Sequence, residues 1–192
     1  MPDISAIILA AGLSKRMGPE NKLFLSIDRK SMIDWVIERV IASKATEIII
    51  VGSELSTDKL LKWRSERVRL IENIHYQTGM TSSIQTGVKN ASGHGYMICL
   101  GDQPNIQTNT YDQLIEAFQT DESKIILPFF QGQKGNPAIF PGHFREAILA
   151  HKEPEGCRAI ILDNKSNTNK VEVSDPGILM DIDTKEDYAK YD

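Results

Sequence analysis

The chain has 192 residues, enough for one domain with a sizeable core, and its 41% hydrophobic and 25% charged residues are the balance of an ordinary soluble globular protein. A formal net charge of −4 argues against broad electrostatic binding to nucleic acid or an anionic membrane, so a polyanionic ligand would have to meet locally concentrated cations. Cys99 and Cys157 supply no disulfide framework and no CxxC pair, and no apolar run approaches the ~18 residues of a membrane span.

Residues 4–10 (ISAIILA) form a short apolar run ending in Ala-Ala-Gly, which predicts a buried strand entering a tight turn. Apolar residues at 32, 33, 36, 37, 40 and 41 predict a helix over 31–43 with Ser31 as its N-cap. Residues 47–51 (EIIIV) read as a second buried strand closed by Gly52. Ser56 or Thr57 is placed to cap a helix through Leu60, Leu61 and Trp63, and residues 68–72 alternate as a strand. A helix over 80–90 and a buried strand over 96–100 (YMICL) follow, the strand stopping at Gly101-Asp102. A helix over 110–118, strands over 124–127 and 136–140, and helices over 144–150 and 158–162 complete most of the chain. Short strands over 171–173 and 178–182 and a helix capped by Thr184 are expected at the end. The stretches 131–134 (QGQK) and 163–170 (DNKSNTNK) read as polar, mobile loops. Alternating strands and helices, the strands apolar on both faces, predict an α/β domain with a mostly parallel sheet over residues 1–192 and no internal boundary. Residues 1–5 lack a basic, apolar leader, so a cytoplasmic protein is expected.

Ligands of open α/β sheets bind beyond the carboxyl ends of the strands. Two segments belong there. After the first strand, Gly12 and Gly18 bracket Leu13-Ser14-Lys15-Arg16-Met17, and Lys15, Arg16 and Lys22 put three cations within eight residues of an otherwise acidic chain. Gly12 can take conformations closed to other residues and lets backbone amides approach an anion, while Arg and Lys hold phosphate oxygens. The segment is neither a Walker A loop nor GxGxxG, and a plain basic surface loop is the competing account. The second segment is Leu100-Gly-Asp-Gln-Pro104. Asp102 follows an apolar strand directly and suits Mg²⁺, which prefers hard oxygen ligands and takes one or two from protein; the competing account has it capping the next turn. Within residues 180–184 (MDIDT), alternation puts Asp181 and Asp183 on one face, with Asp183 the better metal candidate and Asp181 structural or supporting. The histidines at 75, 94, 143 and 151 show no metal-ligand spacing. No GxSxG elbow is present, and Ser82-Ser83 has no evident base, which disfavours covalent hydrolysis.

Together these segments resemble the MobA-like nucleotidyltransferase family, and within it the molybdenum cofactor cytidylyltransferase branch. Residues 9–18 (LAAGLSKRMG) with Asn21-Lys22-Leu23 look like its LAAGxSxRMGxxK signature. Residues 79–84 (GMTSSI) look like its GMSSS segment, 100–104 like LGDxP, 135–137 (GNP) like its GNP turn and 181–187 (DIDTKED) like DIDTPED. The chain departs at Thr81 and Lys185, and its residues 155–159 (EGCRA) match the family's GDxGAR only in part. The resemblance implies a Rossmann-like, three-layer α/β/α sandwich of glycosyltransferase-A type with a mostly parallel, partly mixed sheet. It also implies transfer of a nucleoside monophosphate from an NTP to a phosphorylated small-molecule acceptor, such as molybdopterin, with release of pyrophosphate. Leu9, Ala10, Ala11, Gly12, Ser14 and Lys15 would lie along the nucleotide, and Arg16 and Lys22 would hold phosphates. Asp102 and Asp183 would hold Mg²⁺, and Thr81, Ser82 and Ser83 would line the nucleotide pocket. Ala11 favours CTP, because Ala-Ala-Gly goes with cytidylyl transfer and Ala-Gly-Gly with guanylyl transfer. Cytidylyl or uridylyl transfer to a sugar or polyol phosphate, GTP-dependent guanylyl transfer, and a non-catalytic carrier that hands molybdenum cofactor to a molybdoenzyme client stand as alternatives.

Overall fold

The structure is a computed structural model that describes residues 3–12 and 21–189. Strand β1 (Ile4–Leu9) is buried at every residue except the half-buried Leu9, as an unbroken apolar run requires of a central strand. A small hairpin, β2 (Ser26–Ile27) and β3 (Lys30–Ser31), comes next and turns through Asp28 and Arg29 at φ +47° and +70°. No glycine marks this turn, and the sequence reading passed it over. Ser31 then caps α1 (Met32–Ile41) by accepting from the Asp34 amide, as expected, and Met32, Ile33, Val36, Ile37 and Val40 are fully buried.

The chain continues through β4 (Glu47–Gly52), α2 (Thr57–Leu60) and β5 (Val68–Glu72). Next come α3 (Met80–Asn90), β6 (Gly95–Leu100), α4 (Thr108–Thr120) and β7 (Ile125–Phe130). β8 (Gln133–Lys134) and β9 (Ala138–Pro141) precede α5 (Arg145–Ala150) and α6 (Arg158–Asp163). β10 (Thr168–Glu172) and α7 (Lys185–Tyr188) end the described chain.

The eight-stranded sheet runs β10-β7-β9-β6-β1-β4-β5, with β8 paired to β7. β1 is parallel to β4 and β6, β4 to β5 and β7 to β10, while β8 and β9 are antiparallel, so the sheet is mostly parallel and partly mixed. α1, α2 and α4 cover one face and α3, α5 and α6 the other, which makes three layers. The order reverses at β1/β6, the place where α/β sheets bind ligands. The crossovers β1–α1–β4 and β6–α4–β7 step in opposite directions with their helices on the same face, so they have opposite hands. One therefore departs from the right-handed rule, and α1 and the loop leading into α4 come to lie side by side. On the other face α3 crosses β1 at Gly87, where an added Cβ would sit 2.3 Å from Ile7 Cγ2.

Four expectations change. Residues 178–182 are not a strand: Asp175 accepts from the Gly177 amide, Pro176 opens a 3₁₀ turn over Pro176–Leu179, and irregular chain follows. Residues 131–134 form the β7–β8 hairpin, with Gln131 and Gly132 at φ +50° and +77°. The polar stretch 163–170 contains a 3₁₀ turn and the start of β10, whose polarity fits a strand on the sheet's edge. Ser56 stands at the N-cap of α2 without capping it, because its hydroxyl accepts from the Ser53 amide instead, and residues 61–63 continue as a 3₁₀ turn.

Candidate active site

The site begins where β1 and β6 end together. The Gly101 amide donates to the Leu9 carbonyl at 3.2 Å, and a Cβ on Gly101 would lie 2.6 Å from that oxygen and 2.9 Å from Ile33 Cδ1. Glycine is needed here for this close approach, and Asp102 is the first side chain free of the strand. Arg39 of α1 pins the loop by donating to the carbonyls of Pro104 and Ile106. Asp102 does not cap a turn. Its Oδ2 accepts from Lys22 Nζ at 2.7 Å, and its Oδ1 is buried with no hydrogen-bond partner among the described residues.

The segment after the 3₁₀ turn is stitched to this loop. Ile182 donates its amide to the Asp102 carbonyl at 3.1 Å, and the fully buried Gln103 donates its side-chain amide to the Ile178 carbonyl and the Asp181 carboxylate. Thr184 caps α7 as expected: its hydroxyl accepts from the Asp187 amide, and the Asp187 carboxylate accepts from the Thr184 amide, a reciprocal capping box. Held from both sides, Asp183 reaches Lys22 Nζ with Oδ1 at 2.5 Å. Asp183 thus joins Asp102 although the strand alternation that pointed to it does not exist. Gln103, which makes the connection, carried no signal beyond its place inside LGDQP.

Lys22 follows Asn21, whose side chain accepts from the Leu23 amide and starts a 3₁₀ turn over Lys22–Phe24. The Lys22 side chain is 12% exposed. Burial works against its charge, but the carboxylates of Asp102 and Asp183 more than compensate and hold the ammonium pKa above its ordinary value. Asp181 is also shifted up, which for a carboxylate disfavours the charge: desolvation of its carboxyl group and then the charge of Asp102 push it up, against the pull of Gln103 and Lys22.

Of the first loop, Leu9 is half-buried, Ala10 and Ala11 are buried and Gly12 is exposed. Gly12 does not adopt the left-handed backbone that the sequence reading allowed it, and no described atom comes within 4 Å of an added Cβ. Ser14, Lys15 and Arg16 lie outside the described residues. At the start of α3, Thr81 and Ser83 are buried and serve the fold. Thr81 Oγ1 donates to the Glu153 carbonyl and accepts from the Gly156 amide, tying the 153–156 loop to the helix. Asn73, buried just past β5, donates to the hydroxyls of Ser82 and Ser83 at 2.9 and 3.0 Å. Ser82 stays half-exposed, and its hydroxyl also lies within donating distance of the His75 and Gly79 carbonyls. Asn73 was missed because a polar residue ending a strand looks like an ordinary turn. Cys99 and Cys157 are free and buried, and burial pushes both thiols up, Cys157 to about 12, far from a reactive thiolate.

The family model for the MobA-like NTP transferase domain matches residues 6–168. The chain belongs to that family. Its nucleotidyltransferase region spans β1 to the first residue of β10 and includes the Gly12 loop, the start of α3 and LGDQP, while Asp183 lies beyond it. The molybdenum cofactor guanylyltransferase of Vibrio parahaemolyticus is 27% identical over 97% of this chain and 94% of its own length. The molybdenum cofactor cytidylyltransferase of Escherichia coli is 24% identical over 98% and 95%. A nucleotidyl transferase structure from Methanothermobacter thermautotroptrophicus superposes with a TM-score of 0.82 at 20% identity, covering 98% of this chain and 95% of that one. The MobA-like chain thus has the expected glycosyltransferase-A-like fold. Among its described residues no helix is long and apolar enough to cross a membrane.

Proposed function

We propose that this MobA-like chain is a Mg²⁺-dependent cytidylyltransferase that moves CMP from CTP to a phosphorylated acceptor, molybdopterin, and releases pyrophosphate. The observation that carries the reading is the convergence of Lys22, Asp102 and Asp183 at the reversal point of the sheet. The donor set suits the metal. Asp102 Oδ1 is a buried oxygen without a partner, Asp183 is partly open, and Mg²⁺ needs only one or two protein carboxylates when phosphates supply the rest. When bound, Mg²⁺ would neutralise charge on the triphosphate and orient it.

The protein's own work is to bring anions together. An oxygen of the acceptor phosphate attacks the α-phosphorus, and the bond to the bridging oxygen of the β-phosphate breaks. Pyrophosphate leaves with that electron pair. Lys22, together with Arg16, offsets the charge that gathers on the leaving group. The acceptor is already ionised, so no protein nucleophile or strong base is required, in keeping with two inert thiols. Ala11 and the 24%-identical cytidylyltransferase support CTP. GTP is the second reading, supported by the guanylyltransferase relative at 27%.

The test crosses CTP, GTP, UTP and ATP with molybdopterin and simple sugar phosphates in the presence of Mg²⁺ and follows pyrophosphate. Release with CTP and molybdopterin, at least ten-fold above every other pair, is expected. Equal or faster release with GTP would overturn the choice of base, and tight nucleotide binding without release for any acceptor would overturn the enzymatic reading.

A further inference from the structure

Each of the two carboxylates assigned above to a divalent cation already has one oxygen engaged. Lys22 Nζ lies 2.7 Å from Asp102 Oδ2 and 2.5 Å from Asp183 Oδ1, and so stands where the two carboxylates face each other. It is well enclosed. A cation entering between Asp102 and Asp183 meets the ammonium first. The two compete for the same pair of carboxylates, and like charges at that range repel. A triphosphate changes the balance, because its oxygens offer Lys22 another set of anionic partners and leave the carboxylates to the cation.

We propose that Lys22 is a gate on the Asp102–Asp183 pair, closing it to divalent cations until nucleotide phosphates draw the ammonium away. Nucleotide and cation then bind cooperatively, and linkage makes the effect reciprocal. The gate also keeps the carboxylates compensated while the site waits for substrate, which two facing aspartates could not manage alone. The inference rests on the reading of Asp102 and Asp183 as cation ligands.

The test uses Mn²⁺ as the probe, with free Mn²⁺ followed by its electron paramagnetic resonance signal and no nucleotide present. Lys22→Met, nearly the same length without the charge, is expected to bind Mn²⁺ at least ten-fold tighter than the wild-type chain. Lys22→Arg, which keeps the charge, should stay as weak as wild type, and the double variant Lys22→Met with Asp102→Asn should lose the gain. Lys22→Gln replaces Lys22→Met if the latter fails to fold, as judged by its thermal melt. Equal binding by Lys22→Met and wild type, both lost on adding Asp102→Asn, would overturn the gate while leaving the cation reading intact. Tight binding that survives Asp102→Asn would overturn the cation reading, and the gate with it.

Discussion

Replacing Asp102 by asparagine separates a chemical role for this carboxylate from a structural one. The two side chains have the same shape, so the change removes charge and little else. Among the described residues Asp102 has Lys22 as its ionic partner at 2.7 Å, and its other oxygen accepts no hydrogen bond. Breaking a buried pair costs ~3–5 kcal/mol when it strands the partner's charge. Here Lys22 keeps Asp183 at 2.5 Å, the asparagine carbonyl can still accept from it, and the repulsion that raises the Asp181 pKa is eased. The opposing effects leave a net change of about 1 kcal/mol in either direction, which for a chain of this size moves Tm by about 2–4 °C. Catalysis has no such compensation. Losing a group that holds charge in the transition state costs roughly 10²–10³ in kcat. Pyrophosphate release and a thermal melt on the same preparation decide the matter. A variant that melts more than ~10 °C early yet turns over within about three-fold of wild type when folded would make Asp102 a structural residue and refute the reasoning.

The remaining predictions rest on other contacts. Gln103→Ala removes the amide that binds the Ile178 carbonyl and Asp181, and should lower kcat by about ten-fold or more through the loosened Asp183 segment; steady-state kinetics below the variant's melting temperature checks it. Gly87→Ala forces a methyl to within 2.3 Å of Ile7 Cγ2 and should cost ~1–3 kcal/mol in urea unfolding, partly restored by Ile7→Ala in the same chain. Glu47 accepts from Ser5, Ser92 and Arg69, and its pKa lies below its ordinary 4.5 because those bonds outweigh burial. Asp34 lies below 3.8 in the same way, with Lys62, Ser31 and Trp63 overcoming burial. A depressed folded pKa lends stability above the unfolded value and loses it as pH falls, so unfolding free energy should drop between about pH 5 and pH 3. Glu47→Gln should cost ~1.5–3 kcal/mol at pH 7 and make that drop shallower in urea titrations.

Much of the fold could be read because its strands and helices are periodic. β1, β4 and β6 are mostly apolar runs, and α1 shows its stripe and its Ser31 cap in plain view. What failed was local turn chemistry. The β2–β3 turn uses Asp28 and Arg29 in the left-handed region, where a sequence reader looks for glycine or asparagine. The apparent strand over 178–182 is a pattern of alternation that Pro176 and the Asp175 bond to Gly177 override. The site divides along the same line. Asp102 was legible because it ends a strand, and Lys22 because it belongs to a basic cluster. Gln103 and Asn73 were not, since a buried amide that connects two distant segments leaves no periodic trace.

The expected strand is absent, yet the aspartate it pointed to still meets Asp102 through Lys22, and the reason lies in how Asp183 is held. Alternation would have fixed Asp183 as part of a rigid sheet, whereas the structure holds its segment by the long-range bonds of the Ile182 amide to the Asp102 carbonyl and of the Gln103 amide, with the local Thr184–Asp187 box behind it. Asp102, by contrast, stands on the closely packed end of β6, where Gly101 touches β1. One carboxylate is therefore anchored to the sheet and the other to a tether, with Lys22 joining them. On the proposed cation reading, such a site would keep its anchored carboxylate fixed while the tethered one adjusts to the ion. For the proposed exchange of an ammonium for a metal, rigidity on both sides would strain the sheet, and the tether would remove that cost.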